Sequence, residues 1–158
     1  FVVGAPRAEN AVSTFIDVPP DWVPDPAVGS VTPLSDGTAS GTIVIPESRP
    51  YTVFVNGSAR GEVSVAINGD EVGSARNRLN NNAQYIELDT RDFTAGQQTI
   101  TLTYERGSAL RPATGGYPFG LGPVVLAPAG DQALVTRVPA SDYRQLCGQR
   151  LDWLEALE

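Results

Sequence analysis

Apolar and polar residues alternate with period two along several short stretches of this chain, the pattern of strands with one buried face. In Tyr51–Asn56 (YTVFVN), Tyr51, Val53 and Val55 fall on one side. Glu62–Asn68 (EVSVAIN) turns Val63, Val65 and Ile67 inward, and Asn68-Gly69-Asp70 then predicts a hairpin turn into a short return, Glu71–Gly73. Gln84–Leu88 sets Ile86 and Leu88 against Tyr85 and Glu87, and Gln98–Tyr104 sets Ile100, Leu102 and Tyr104 against three threonines. Shorter runs at Ser13–Val18, Gly41–Ile45, Pro123–Ala127 and Leu134–Val138 read as further strands. Residues 1–12 predict a strand or a ragged end. Ser141–Leu146 predicts a turn or short helical piece with Ser141 at its N-cap. Gln149–Leu157 suits a closing strand by alternation and a terminal helix by its Leu, Glu and Ala content; the strand is favoured.

Three polar or irregular stretches separate these runs. Asp21–Ser35 carries Pro24, Pro26, Gly29 and Pro33 around Trp22 and predicts a long loop or edge segment. Residues 74–83 crowd Asn77, Arg78, Asn80, Asn81 and Asn82 together, and residues 106–123 form a second long loop with Arg111, Tyr117 and Phe119. The 16 Gly and 13 Pro are spread along the chain, which suits many tight turns and would break long helices. Strand signals recurring every 8–12 residues or so predict an all-β protein, a jelly-roll-type β-sandwich of two antiparallel sheets. A single domain over 1–158 is expected, and no internal repeat is evident.

Composition narrows the function. The net charge is −7, and no basic cluster is visible, so a nucleic-acid partner is not expected. No run approaches the roughly 18 apolar residues that span a bilayer, so no membrane insertion by this stretch is expected. The chain has no Met and no Lys, and its 11 basic residues are all Arg. We expect it to be a piece of a longer or processed protein, from a GC-rich bacterial genome. Without His, a Ser-His-Asp centre and His-based metal sites are excluded. Cys147, the one cysteine, reads as a small buried residue or as a partner for a thiol elsewhere in a longer parent.

Tyr51–Asn56, Val63–Gly69 (VSVAING) and Ala95–Leu102 (AGQQTITL) together resemble the core of carbohydrate-binding-module-like β-sandwiches. Arg150–Leu154 (RLDWL) resembles the final strand of the same modules, so the likeness covers about two-thirds of the chain. It implies a galactose-binding-like sandwich and a non-catalytic accessory role. The Tyr117–Pro123 run (YPFGLGP) resembles segments in extracytoplasmic domains of actinobacterial membrane glycosyltransferases, the cell-wall arabinosyltransferases among them. That implies an extracytoplasmic domain beside a parent enzyme, with a cell-wall glycan and the parent's other domains as partners. Such sandwiches also hold a structural calcium through carboxylates of their first and last strands, which would place Asp17 and Asp152 as ligands.

Glycan binding needs an aromatic platform with a few amide or guanidinium groups. Trp22, Tyr117 and Phe119 are the candidate platform, with Arg78, Asn80, Asn81 and Asn82 as polar contacts; Trp153 reads as core. The competing reading gives Trp22 and Phe119 to the ends of the core and the Asn run to turn backbone. Tyr85, Glu87 and Asp89 share one strand face, but a glycosidase needs carboxylates on opposite sides of a sugar, so a solvated face is expected. Two further readings stay open: a structural or protein-interaction sandwich without a glycan ligand, and a small hydrolase with opposed carboxylates.

Overall fold

The computed structural model describes residues 1–4, 9–78, 84–107, 120–130, 135–151 and 153–156. They form two compact units: Asn10–Ala129, and Phe1–Glu9 with Gly130–Glu158.

The larger unit is a sandwich of two antiparallel sheets. In chain order after β1 (Val2–Gly4) its strands are β2 (Ala11–Val12), β3 (Thr14–Asp17), β4 (Val23–Asp25), β5 (Ser30–Thr32), β6 (Gly37–Ile45), β7 (Arg49–Gly57), β8 (Ala59–Ile67), β9 (Asp70–Arg78), β10 (Tyr85–Phe93), β11 (Gly96–Glu105) and β12 (Leu121–Pro128). One sheet runs β10-β7-β12-β5-β4, with β2 also on β12; the other runs β3-β6-β11-β8-β9. The chain passes back and forth between the sheets from β6 to β12, with only β8–β9 staying within one. This is the expected jelly-roll-type sandwich.

Period-two burial builds its core. Tyr51, Val53 and Val55 of one sheet face Val63, Val65, Ile100 and Leu102 of the other, and all are fully buried. Opposed apolar faces of this kind are the main force holding a sandwich together. The expected hairpin forms at Asn68-Gly69, whose φ values of 52° and 86° are those a two-residue turn between twisted strands requires. Several strands outrun the pattern: β6 starts at Gly37 and β8 at Ala59, β9 continues to Arg78, and β10 reaches Phe93 through a bulge between Glu87 and Thr90. Within the Pro-rich stretch, β4 and β5 form a small hairpin, and Pro24 is tolerated because β4 lies at the sheet edge.

Trp22 belongs to this core. It is 3% exposed, lies edge-on to Tyr104 at 6.5 Å between ring centroids, and donates its indole N–H to the Ser35 carbonyl at 3.0 Å.

The smaller unit is a three-stranded antiparallel sheet, β13 (Val135–Arg137), β1 and β14 (Trp153–Glu155), with β1 in the middle. The Gln149–Leu157 segment therefore supplies a strand, as its alternation predicts. Ala140–Leu146 is a short 3-10 helix entered from Pro139, so Ser141 is not its cap; the Ser141 hydroxyl bonds the Asp142 carboxylate instead. Two burial expectations are corrected here. Trp153 is 38% exposed, its indole laid against Gly4, and Cys147 is exposed and free. A strand only three residues long, on a three-stranded sheet, offers too little cover to enclose an indole. Among the described residues no helix is long and apolar enough to cross a membrane.

Candidate ligand-binding face

The residues of β7 that alternate with its core positions are Thr52, Phe54 and Asn56, and they point away from the core. On one side β10 pairs Tyr85 with Asn56 and Glu87 with Phe54; on the other β12 pairs Val125 with Phe54, and Val12 of β2 pairs with Val125. Residues directly opposite in a sheet share a face. Glu87, Phe54, Val125 and Val12 therefore form one row across four strands, about 15 Å long at the usual inter-strand spacing. Tyr85 reaches diagonally over this row, edge-on to Phe54 with 6.5 Å between centroids and planes at 88°. Tyr85 is 49% exposed and Val12 52%. Below them the Thr52 and Thr90 hydroxyls bond each other at 2.8 Å.

The bulge after Glu87 decides the electrostatics. It separates Glu87 from Asp89, which the simple alternation had placed on the same side. Asp89 accepts from the Arg91 guanidinium at 2.8 Å and from the Thr90 backbone N–H at 2.8 Å. These bonds, the one from Arg91 first, hold its carboxyl below the usual 3.8. Arg91 is thus committed to Asp89, and among the described residues Glu87 has no ion pair.

Both long loops are rooted beside this face. The Gly57 N–H donates to the Gln84 carbonyl at 2.9 Å, and the Ser58 hydroxyl donates to the Arg78 carbonyl at 3.1 Å. These are the two ends of the 79–83 segment. Gly57 sits at φ 119°, and a side chain there would run into the Gly120 carbonyl; at Gly61 one would run into the Glu105 carbonyl. The 108–119 segment is flanked by these same neighbours. Both roots converge on the β7–β8 turn, next to Asn56 and Tyr85.

The sequence-predicted site residues fare differently. Arg78 is exposed at the end of β9, at one of these roots. Trp22 is corrected as a platform residue in favour of the competing core reading: a ring with 3% exposure presents no face on which a sugar could stack. Asn80, Asn81, Asn82, Tyr117 and Phe119 lie outside the described residues. For the calcium expectation, Asp17 is exposed at the end of β3 and Asp152 lies outside the described residues. Among the described residues no three His, Cys, Asp or Glu side chains are grouped to hold a metal ion. Phe54 and Asn56 were missed from sequence, although an aromatic on the outward phase of a clean alternating strand was the available signal.

A second concavity lies in the smaller unit, lined by Val3, Val138, Gln145, Leu146, Gln149 and Arg150 among others. Its 220 Å³ is below the roughly 300–1,000 Å³ of small-molecule sites. We give it no role.

No protein-family model matches the chain, and no curated protein matches it. Among solved structures it is similar to a family 35 carbohydrate binding module from an environmental isolate, at 11% identity and a TM-score of 0.45, over 87% of this chain and 97% of that one. It is also similar to the CBM36-1 domain of a multidomain xylanase from the hindgut metagenome of Trinervitermes trinervoides, at 15% identity and a TM-score of 0.46, over 77% and 99%. A third is the Podospora anserina GH26-CBM35 mannanase, at 16% identity and a TM-score of 0.47, over 85% of this chain. The chain spans 28% of that mannanase and 19% of a ruminal GH26 endo-mannanase. The architecture itself is established by the strand pairing described above.

Proposed function

We propose that this chain is a non-catalytic glycan-binding domain whose site is the outer face of β10, β7 and β12. The observation that carries the reading is the edge-to-face Tyr85–Phe54 pair on the outer face of the sheet, with Asn56 and Glu87 as their cross-strand partners on the same face. Aromatic rings cover the apolar C–H face of a sugar, while amide and carboxylate groups satisfy its hydroxyls. A row of about 15 Å offers room for a short stretch of polymer. Asp89 is tied to Arg91, and among the described residues no second carboxylate stands across the strands from Glu87 on this face, which supports binding over hydrolysis. The setting we propose is extracytoplasmic: an accessory domain of a bacterial envelope protein, with a membrane glycosyltransferase as parent and cell-wall glycan as ligand.

Calorimetric titration with soluble oligosaccharides from a panel that includes arabinan, galactan and amino-sugar polymers tests this. Tyr85→Ala should weaken the best ligand about 10- to 30-fold, the loss expected for an aromatic anchor. Phe54→Ala should weaken it similarly. Absence of saturable binding across the panel would defeat the reading in favour of a structural or protein-interaction domain.

A further inference from the structure

Resting on the glycan-binding reading of this face, we propose that it prefers sugars bearing a free ammonium group over neutral and acidic ones. Phe54 stands between Tyr85, diagonal to it, and Glu87, directly across the strand pair. An ammonium placed beside this trio meets the Glu87 carboxylate and the negative face of an aromatic ring, the two rings standing at right angles to each other. A neutral hydroxyl at the same place gains an ordinary hydrogen bond and no ring attraction.

Two observations leave the carboxylate available. The nearest guanidinium on β10, that of Arg91, is bound to Asp89 at 2.8 Å. The outward residues packed around Glu87 and Phe54 from β7, β12 and β2 are Thr52, Asn56, Val125, Ala127 and Val12, none of them cationic. A carboxylate without an ion pair among the described residues, beside the exposed Tyr85 and half-buried Phe54 rings and on the same strand face as Asp92, is complementary to a cationic glycan and repels a uronate, as does the net charge of −7. The occupant the face fits is therefore a polymer of deacetylated amino sugars lying across the strands.

The experiment titrates the protein with three hexamers: glucosamine, N-acetylglucosamine and glucose, all β-1,4-linked, at moderate and raised salt. Wild type should bind the glucosamine hexamer at least tenfold more tightly than either other sugar. Glu87→Gln should remove most of that tenfold advantage, weakening the glucosamine hexamer several-fold more than the glucose hexamer. Asp70→Asn, in the other sheet, removes one negative charge elsewhere and should leave the preference intact. Equal affinity for the glucosamine and glucose hexamers, or an advantage that Asp70→Asn erodes as much as Glu87→Gln, would overturn the preference. If Tyr85→Ala still abolished binding in that case, glycan binding at this face would stand without it. Failure of all three hexamers to bind would overturn the preference, and the glycan-binding reading would fall with it only if the arabinan and galactan of the wider panel also failed to bind.

Discussion

Trp22 was the most conspicuous aromatic in the loops, and its placement yields a sharp prediction. Trp22→Ala removes a ring that is 3% exposed, that packs edge-on against Tyr104, and whose N–H bonds the Ser35 carbonyl at 3.0 Å. Truncating a buried aromatic to alanine costs about 3–5 kcal/mol through lost transfer energy and the cavity left behind. Trp22→Phe keeps most of the packing and loses the hydrogen bond, a net contribution of about 1 kcal/mol, together with part of the ring volume. We expect about 1–2 kcal/mol for it. Urea unfolding followed by far-ultraviolet circular dichroism reads both. With a slope of about 1–3 kcal/mol per molar, the alanine variant should lose roughly 1–5 M in midpoint. Glycan affinity of the folded Trp22→Phe protein should match wild type. A loss under about 0.5 kcal/mol for alanine, the range of ordinary surface changes, would refute a core role for Trp22, and so would a weakened glycan affinity in the phenylalanine variant.

Two further predictions follow from local geometry. A side chain at Gly41 would collide with the Thr14 carbonyl and lie 2.8 Å from the Phe15 Cα, so Gly41→Val should push β3 off β6 at a cost of about 1–3 kcal/mol. Amide hydrogen exchange should then speed up at Thr14–Asp17 while β8 stays protected; equal protection of β3 in both proteins would contradict this. Asp89 should titrate below 3.8 by carbon-13 NMR, and Arg91→Ala should return it toward that value. Because the folded pKa is the lower one, the Asp89–Arg91 contribution is present above the unfolded value and fades as pH falls through the depressed folded value. An unchanged Asp89 titration in Arg91→Ala would show that the guanidinium is not the cause.

Much of the sandwich was legible because burial on one sheet face imposes a strict two-residue period. Tyr51–Val55, Val63–Ile67 and Ile100–Tyr104 each carry that period cleanly, and Asn68-Gly69 names its own turn. The extension of β10 was hidden because the bulge after Glu87 breaks the alternation, so Asp89–Asp92 reads as a polar turn. The β4–β5 hairpin was hidden because an edge strand with three exposed residues shows no apolar phase. The site was less legible still. Phe54 and Tyr85 meet only because β7 and β10 pair across some thirty residues of sequence, and single-chain patterns do not report pairing between strands that are not neighbours in sequence. Trp22 falls to the competing reading, the one that gave it to an end of the core. A Pro-rich stretch suggests solvent, yet its indole closes one part of the core.

The most direct test of the account is backbone amide NMR of the isotopically labelled protein titrated with the best-binding oligosaccharide. The account predicts saturable shifts concentrated at Phe54, Asn56, Tyr85, Glu87 and Val125, with the opposite sheet's Thr99, Thr101 and Thr103 unmoved. Shifts gathered on those threonines, or an unperturbed spectrum at saturating sugar, would contradict it.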